Sequence, residues 1–335
     1  MSEHGDRENR LTHSQVQIWI GQQLNPRSPL YNMAFAWLIS APLDTDLLQR
    51  AWLRVVEQSD ALRTRILESG GEGRVCITEP AACPLHVLDF RAKPDGVSAF
   101  WDWSRERCAQ PLSLNGPLVD SVMVRLDAER IGWYLNLHHL ITDAWSTVLL
   151  YRRFAQAYAS LSGIDSGDAR RPTSSYYATA AALAGRTSGR ESARAHWALR
   201  EKQAARAVPL YGYPAIPTGT ESSRLTLVLD AARTQTLDKL CSQPGFQSLS
   251  RDIARFSLFA TLLLAWLYRV SGRSDLSFDA PVAGRPSPEA KQILGLFIEM
   301  FPFAESLDNG DSFRSLGGRC LAETERFLRH ALPGA

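Results

Sequence analysis

The chain is 335 residues long, enough for about two bodies with cores of their own. Lys and Arg number 37 against 35 Asp and Glu, and the signs are interspersed, which argues against a broad electrostatic footprint for nucleic acid or a membrane surface. The cysteines (Cys76, Cys83, Cys108, Cys241 and Cys320) are scattered with no CxxC pair, which argues against a zinc or disulfide framework and for a reducing compartment.

Residues 1–10 are polar and charged, lack the apolar core of a signal peptide, and read as a flexible leader. Thr12 and Gln15 have capping-box spacing ahead of Val16, Trp19, Ile20 and Leu24, which share one helical face; Pro26 and Pro29 end that helix. Tyr31, Met33, Phe35, Trp37 and Ile39 alternate along a strand with one bulky face. Asp44 or Thr45 caps a second helix with the stripe Leu47, Leu48, Ala51, Trp52, Val55 and Val56. Ala61 to Leu67 reads as a strand, turned by Gly70, Gly71 and Gly73 into a partner near Arg74 to Thr78. A helix near Ser98 to Gln110 and a hairpin of Asp120 to Asp127 with Ile131 to Leu140 follow.

Ser162 to Ser175, rich in Ser, Gly, Asp and Arg, is the expected boundary between an N-terminal body (residues 11–170) and a C-terminal one (171–335). Beyond it come a helical stretch through Trp197, a Pro- and Gly-rich loop from Pro209 to Gly219, and a strand at Arg224 to Leu229. Arg251 to Val270 reads as a buried helix capped by Gly272; its apolar run is short for a membrane span. Leu276 to Pro281 and Leu294 to Phe303 read as strands around a connector. Helices and strands mix without βαβ repetition, so the predicted class is α+β.

The stretch that carries chemistry is Leu135-Asn136-Leu137-His138-His139-Leu140-Ile141-Thr142-Asp143-Ala144-Trp145-Ser146, where a strand ends and a helix begins. Side chains alternate across a strand, so His138 and His139 point in opposite directions and cannot serve one site. That geometry, with no nearby third ligand, argues against a metal.

Taken in order, these pieces resemble the condensation domains of nonribosomal peptide synthetases, within the chloramphenicol-acetyltransferase-like superfamily. The core motif of that family, His-His, three residues, Asp-Gly, stands here as His138-His139-Leu140-Ile141-Thr142-Asp143-Ala144. Leu11 to Trp19 looks like the opening helix motif, Ala61-Leu62-Arg63-Thr64-Arg65 like the second half of the next, and Pro281 to Pro286 with Leu294 to Ile298 like the C-terminal motifs. The chain departs from the family at Gln58-Ser59-Asp60, at Ala144 in place of glycine, and at Ile298-Glu299-Met300 in place of Val-Asn-Thr. The first departure, with Gly21-Gln22-Gln23-Leu24, looks more like starter-type domains than chain-elongating ones. The resemblance implies two acetyltransferase-like lobes in a V, with an active-site tunnel between them and an incomplete C-terminal lobe.

It further implies amide formation, by attack of a carrier-bound aminoacyl amine on a carrier-bound acyl thioester. His139 would be the general base, which suits an imidazole because its pKa lies near working pH. His138 reads as a hydrogen-bonded core residue beside it. Asp143 is a second base or a structural carboxylate, with Arg63 as its partner in the second case; Arg63 reads equally as a solvated strand residue. The backbone N–H of Ala144 could polarise an oxyanion. Trp145, Ser146, Glu299 and Arg285 are possible channel-lining positions, with packing or helix entry the plainer roles of Trp145 and Ser146, and Arg285 open as a solvated loop charge or a carrier contact. No directly bound cofactor is implied: phosphopantetheine arms would arrive on acyl and peptidyl carrier proteins, beside adenylation or other synthetase domains, in the cytoplasm. Two alternatives stand: a free-standing acyl-CoA-dependent O- or N-acyltransferase of the same superfamily, and a non-catalytic carrier-recruiting platform or inactive fragment.

Overall fold

The computed structural model describes residues 10–164, 175–203, 210–213, 220, 223–332 and 334. The expected leader lies outside the described residues except for Arg10, as do 165–174 of the expected boundary and most of the loop from Pro209 to Gly219. The chain forms two compact units: Met1–Gly185 with Arg285–Ile298, and Arg186–Gly284 with Glu299–Pro333. This division differs from the boundary read at residue 170 by one helix and one returning loop. Tyr176 and Leu183 of that helix pack with Ile293, Leu296 and Phe297 of that loop.

In the first unit a four-stranded sheet runs in the order β1 (Asn32–Ser40), β6 (Arg130–His138), β5 (Val119–Arg125), β4 (Leu85–Asp89). β6 pairs antiparallel with both neighbours, setting Asn32 opposite His138, and Val119 and Met33 both opposite Leu137. β4, which has no clear signal in the sequence, adds parallel to β5. β6 is buried on both faces, so a near-continuous apolar run replaces simple alternation. Trp133, Leu135 and Leu137 pack with Trp52, Val55 and Val56 of α2 (Thr45–Glu57) and with Leu150 and Phe154 of α4 (Ala144–Leu161). Tyr134 packs against Phe100 of α3 (Gly96–Cys108) on the other face. The α2 stripe is buried as its spacing predicts.

The opening helix α1 (His13–Leu24) has the expected capping box of Thr12 with Gln15. Its burial departs from the predicted apolar face: Trp19 is half-buried against the core, but Val16, Ile20 and Leu24 are exposed, Leu24 at 76%, whereas Ser14, Gln15 and Gln22 are buried. The polar contacts that cause this belong to the site below. Ala61–Arg63 is a 3₁₀ turn capped by Asp60, not the start of a strand; β2 (Thr64–Ser69) follows and pairs with β3 (Glu72–Ile77). Gly70 and Gly71, at φ +62° and +77°, make the turn that this hairpin requires. Asp60 also accepts from the backbone N–H of Tyr176 at 3.0 Å, so one carboxylate holds the 3₁₀ turn and the start of α5 (Tyr176–Ala184).

The second unit is built on α8 (Arg251–Ser271) and α9 (Phe313–His330) against the antiparallel pair β7 (Asp275–Val282) and β8 (Glu299–Ser306), with α6 (Arg190–Gln203) and α7 (Ala231–Cys241) beside them. Its core holds Leu264, Phe301, Phe303, Leu316, Cys320 and Phe327. α8 ends at Gly272 in the left-handed region as predicted, but only one face of it is buried: Phe259, Leu262, Leu263 and Trp266 are exposed. By length and composition alone α8 could cross a membrane; its buried face, including Ala260 and Leu264, packs in this core. The strand expected at Arg224 to Leu229 is irregular, with Leu225 97% exposed. Among the described residues nothing pairs with it, and an extended segment without a ladder partner is not a strand. β8 begins at Glu299 rather than Leu294, because residues 293–297 are an apolar loop committed to the first unit.

Candidate active site

The sheet delivers His138 to the end of β6, and a 3₁₀ turn, His139–Ile141, takes the chain on to α4. His138 is fully buried. Its Nδ1 accepts the N–H of Leu140 at 3.1 Å, and its Nε2 lies 3.2 Å from Gln22 Oε1. Burial, with the neighbouring His139 second, pushes its imidazole down to about 4, so at neutral pH it is an uncharged hydrogen-bonding group. The two rings engage different partners, but not through strand alternation: β6 ends at His138, short of the expected Leu140, and His139 opens the 3₁₀ turn.

His139 is half-buried. Its backbone N–H donates to Tyr31 O at 2.7 Å, and its Nδ1 lies 2.9 Å from Thr142 O. A carbonyl oxygen can only accept, so the neutral ring carries its proton on Nδ1 and presents Nε2 as the basic nitrogen. This is the arrangement a general base needs.

Asp143 is buried, and both carboxylate oxygens are occupied. Oδ1 accepts from Ser146 N–H at 2.8 Å as the N-cap of α4, and Oδ2 accepts from Phe297 N–H at 3.0 Å. Arg285 Nη2 reaches both oxygens, at 3.0 and 3.1 Å. Arg63 is therefore not the partner of Asp143: it donates to the carbonyls of Ser59 and Thr78, closing the local 3₁₀ turn and hairpin. Arg285 is neither a channel-lining charge nor a solvated one. It is buried, donates through Nη1 to Ala290 O and Ile293 O, and lies over the Phe297 ring at 4.3 Å. Burial lowers its pKa, opposed by the Asp143 carboxylate.

Ser146 is also buried rather than channel-lining. Its hydroxyl donates to Gly295 O at 2.7 Å and accepts from Gly295 N–H and from Arg285. Trp145 is exposed, and its Nε1 donates to Lys291 O; this is packing on the returning loop. Ala144 is exposed at the first turn of α4. Glu299 is half-buried at the start of β8 in the second unit.

Sequence reasoning missed Gln22, Thr142 and Tyr176 as site-building residues. Tyr176 OH donates to Leu296 O at 2.8 Å and lies 3.1 Å from Thr12 Oγ1, tying the returning loop to α1. No local pattern marks it. Arg285 carried a signal, a charge in a Gly-Arg-Pro turn between apolar segments, but its partner lies 142 residues away. Among the described residues no group of three or more His, Cys, Asp or Glu could hold a metal ion.

A histidine with its basic nitrogen left open by a carbonyl lock, beside a carboxylate saturated by structural bonds, thus stands at the junction of β6 and α4 on an α+β scaffold. The family model for the condensation domain matches residues 6–332, and the chain belongs to that family. It is 29% identical over 334 residues to phosphinothricin tripeptide synthetase PhsC of Streptomyces viridochromogenes, covering 96% of this chain and 29% of that protein. The chain thus spans less than a third of the length of the curated relatives it matches, which are multidomain synthetases. Among solved structures, the starter condensation domain of rhizomide synthetase, in a variant bound to C8-CoA, is similar with a TM-score of 0.78 and 24% identity, over 96% of this chain and 72% of that one. The first condensation domain of the calcium-dependent antibiotic synthetase is similar with a TM-score of 0.76 and 23% identity, over 96% and 75%. The fold is the chloramphenicol-acetyltransferase-like α+β fold.

Proposed function

We propose that this chain acts as a starter-type condensation domain, forming an amide between a carrier-bound acyl thioester and a carrier-bound aminoacyl amine. The observation that carries the reading is the lock of His139 Nδ1 on Thr142 O, which leaves Nε2 as the proton acceptor. The neutral amine attacks the thioester carbonyl, and a C–N bond forms as the carbonyl electrons move to oxygen. Nε2 takes the proton shed by the new ammonium centre. Collapse of the tetrahedral intermediate breaks the C–S bond, and the proton passes from His139 to the departing thiolate. The first-turn N–H of Ala144 is the donor we assign to the developing oxyanion, because the N-terminal turn of a helix leaves such groups unpaired.

Asp143 has no part in proton transfer, since Arg285, Ser146 and Phe297 occupy its oxygens; its role is to hold the turn. Within the first unit, Trp145 at the exposed start of α4 remains a position for contact with a substrate arm. Phosphopantetheine arms of acyl and peptidyl carrier proteins would present both substrates, alongside an adenylation domain and in the cytoplasm. A second reading, an acyl-CoA-dependent transferase, draws on the similar rhizomide synthetase domain having been seen with C8-CoA.

The test is intact-protein mass spectrometry of carrier proteins loaded with acyl and aminoacyl groups. Acyl transfer onto the aminoacyl carrier is expected, falling about 10²- to 10⁴-fold in His139→Ala. Turnover of the CoA thioester with no carrier present would favour the second reading. Full activity in His139→Ala would remove His139 from the chemistry.

A further inference from the structure

Helix α1 buries two glutamines while leaving Val16, Ile20 and Leu24 in water. Burying amide groups in place of available apolar side chains forgoes hydrophobic stabilisation, so the arrangement needs another reason. Gln15 and Gln22 lie seven residues apart, two turns along one face. Gln22 Nε2 donates to the carbonyls of Asn25 and Ser28, at 2.9 and 3.3 Å, so its Oε1 is the atom turned to His138. An amide oxygen accepts, and His138 therefore carries its proton on Nε2. Only that tautomer leaves Nδ1 bare to accept the N–H of Leu140.

Gln15 is oriented in the same way. Its Oε1 accepts from Thr12 N–H at 3.0 Å, and its Nε2 donates to Leu140 O at 3.0 Å and to Tyr177 OH at 3.2 Å. Tyr177 in turn bonds Thr64 Oγ1, which donates to Asp60 O. Leu140 is thus gripped at its N–H through Gln22 and His138, and at its carbonyl by Gln15. It is the middle residue of the turn that carries His139.

We infer that Gln15 and Gln22 are positioning residues for His139: α1 sets the tautomer of His138 and, through Leu140, the aim of the His139 ring. The inference rests on the reading of His139 as proton acceptor, but its geometric half can be measured without turnover. In ¹⁵N-histidine-labelled protein, the two ring systems are identified by their absence from His138→Asn and His139→Ala. Wild-type protein shows the Nε2–H tautomer on His138 and the Nδ1–H tautomer on His139. Gln22→Leu strips the acceptor from the His138 Nε2–H and shifts both ring signals, whereas Gln23→Leu, on the exposed side of the same helix, keeps the wild-type pattern. In the carrier assay Gln22→Leu and Gln15→Leu lower kcat about 10- to 100-fold with KM little changed, as a displaced catalytic group does, and Gln23→Leu does not.

A wild-type His138 bearing its proton on Nδ1 overturns the inference, and needs no variant to fold. So do folded Gln22→Leu and Gln15→Leu proteins with wild-type ring patterns and kcat. Full activity in His139→Ala would instead defeat the proton-acceptor reading alone, leaving the tautomer pattern to be judged on its own.

Discussion

At the scale of single residues, the pair Asp143 and Arg285 separates structure from chemistry. A buried carboxylate is costly unless its oxygens are paired, and here four donor contacts meet them. The same guanidinium satisfies carbonyls at both ends of Ala290–Ile293, so removing it strands several acceptors at once. Arg285→Met is expected to lower the free energy of unfolding by about 3–5 kcal/mol, the usual cost of leaving one member of a buried pair alone. Arg63→Met removes hydrogen bonds to two carbonyls and is expected to cost about 1–2 kcal/mol. Urea denaturation of the two variants checks the ordering; equal losses would mean that Arg285 does no more for the fold than Arg63. The sequence offered Asp143 as a second base or a paired carboxylate, and for the pair it chose a cation 80 residues away where the true partner lies 142 away, because pairing across a chain follows topology, which local spacing does not encode.

At the scale of elements, the returning loop Arg285–Ile298 is the piece least legible in the sequence. Its apolar residues 293–297 read as a strand, since a short apolar run looks alike whether it pairs in a sheet or fills a pocket. Here the run fills a pocket: Phe297 stands edge-on to Tyr176 at 5.1 Å, and Gly295 lies against the same tyrosine ring. A Cβ at Gly295 would come within 2.0 Å of Tyr176 Cδ2, far inside any real contact. Gly295→Ala is therefore expected to displace the loop and loosen Ser146 and Asp143 with it, lowering the melting temperature by about 5 °C or more, the shift that roughly 2 kcal/mol gives in a protein of this size. Gly295→Ala with Tyr176→Leu should recover part of the loss; no recovery would place the strain elsewhere. The capped helices and the β5–β6 hairpin were legible because their signals are local. The burial of α1 was not: of its predicted apolar stripe Trp19 alone reaches the core, and two glutamines are buried instead by bonds to Leu140 and His138 more than 100 residues away.

At the scale of the whole molecule, the formal charge of +2 leaves little general self-repulsion near neutral pH, so mild acid acts first through particular buried groups. His138 is the strongest case. Its folded pKa of about 4 lies below the value near 6.5 of an unfolded histidine. Between those values the unfolded chain binds a proton that the native chain refuses, so stability falls as the pH falls through that window, by up to about 3 kcal/mol. His196 in the second unit, also pushed down to about 4 by burial and by its neighbour His330, works in the same direction but is more exposed, which weakens its share. Glu323 opposes both. Burial raises its carboxyl, so the native chain takes up that proton before the unfolded one does, and acidification relieves the cost of burying its charge. Two histidines stand against one carboxyl, so the net expectation is a loss of stability from about pH 6.5 downward. His138→Asn keeps an acceptor for the Leu140 N–H but cannot titrate; it should start less stable at pH 7 and show a flatter slope between pH 6.5 and 4.5. Urea denaturation across that range checks the difference. A variant with the wild-type slope would mean that the acid response belongs to other groups, and that His138 takes up its proton as readily in the fold as outside it.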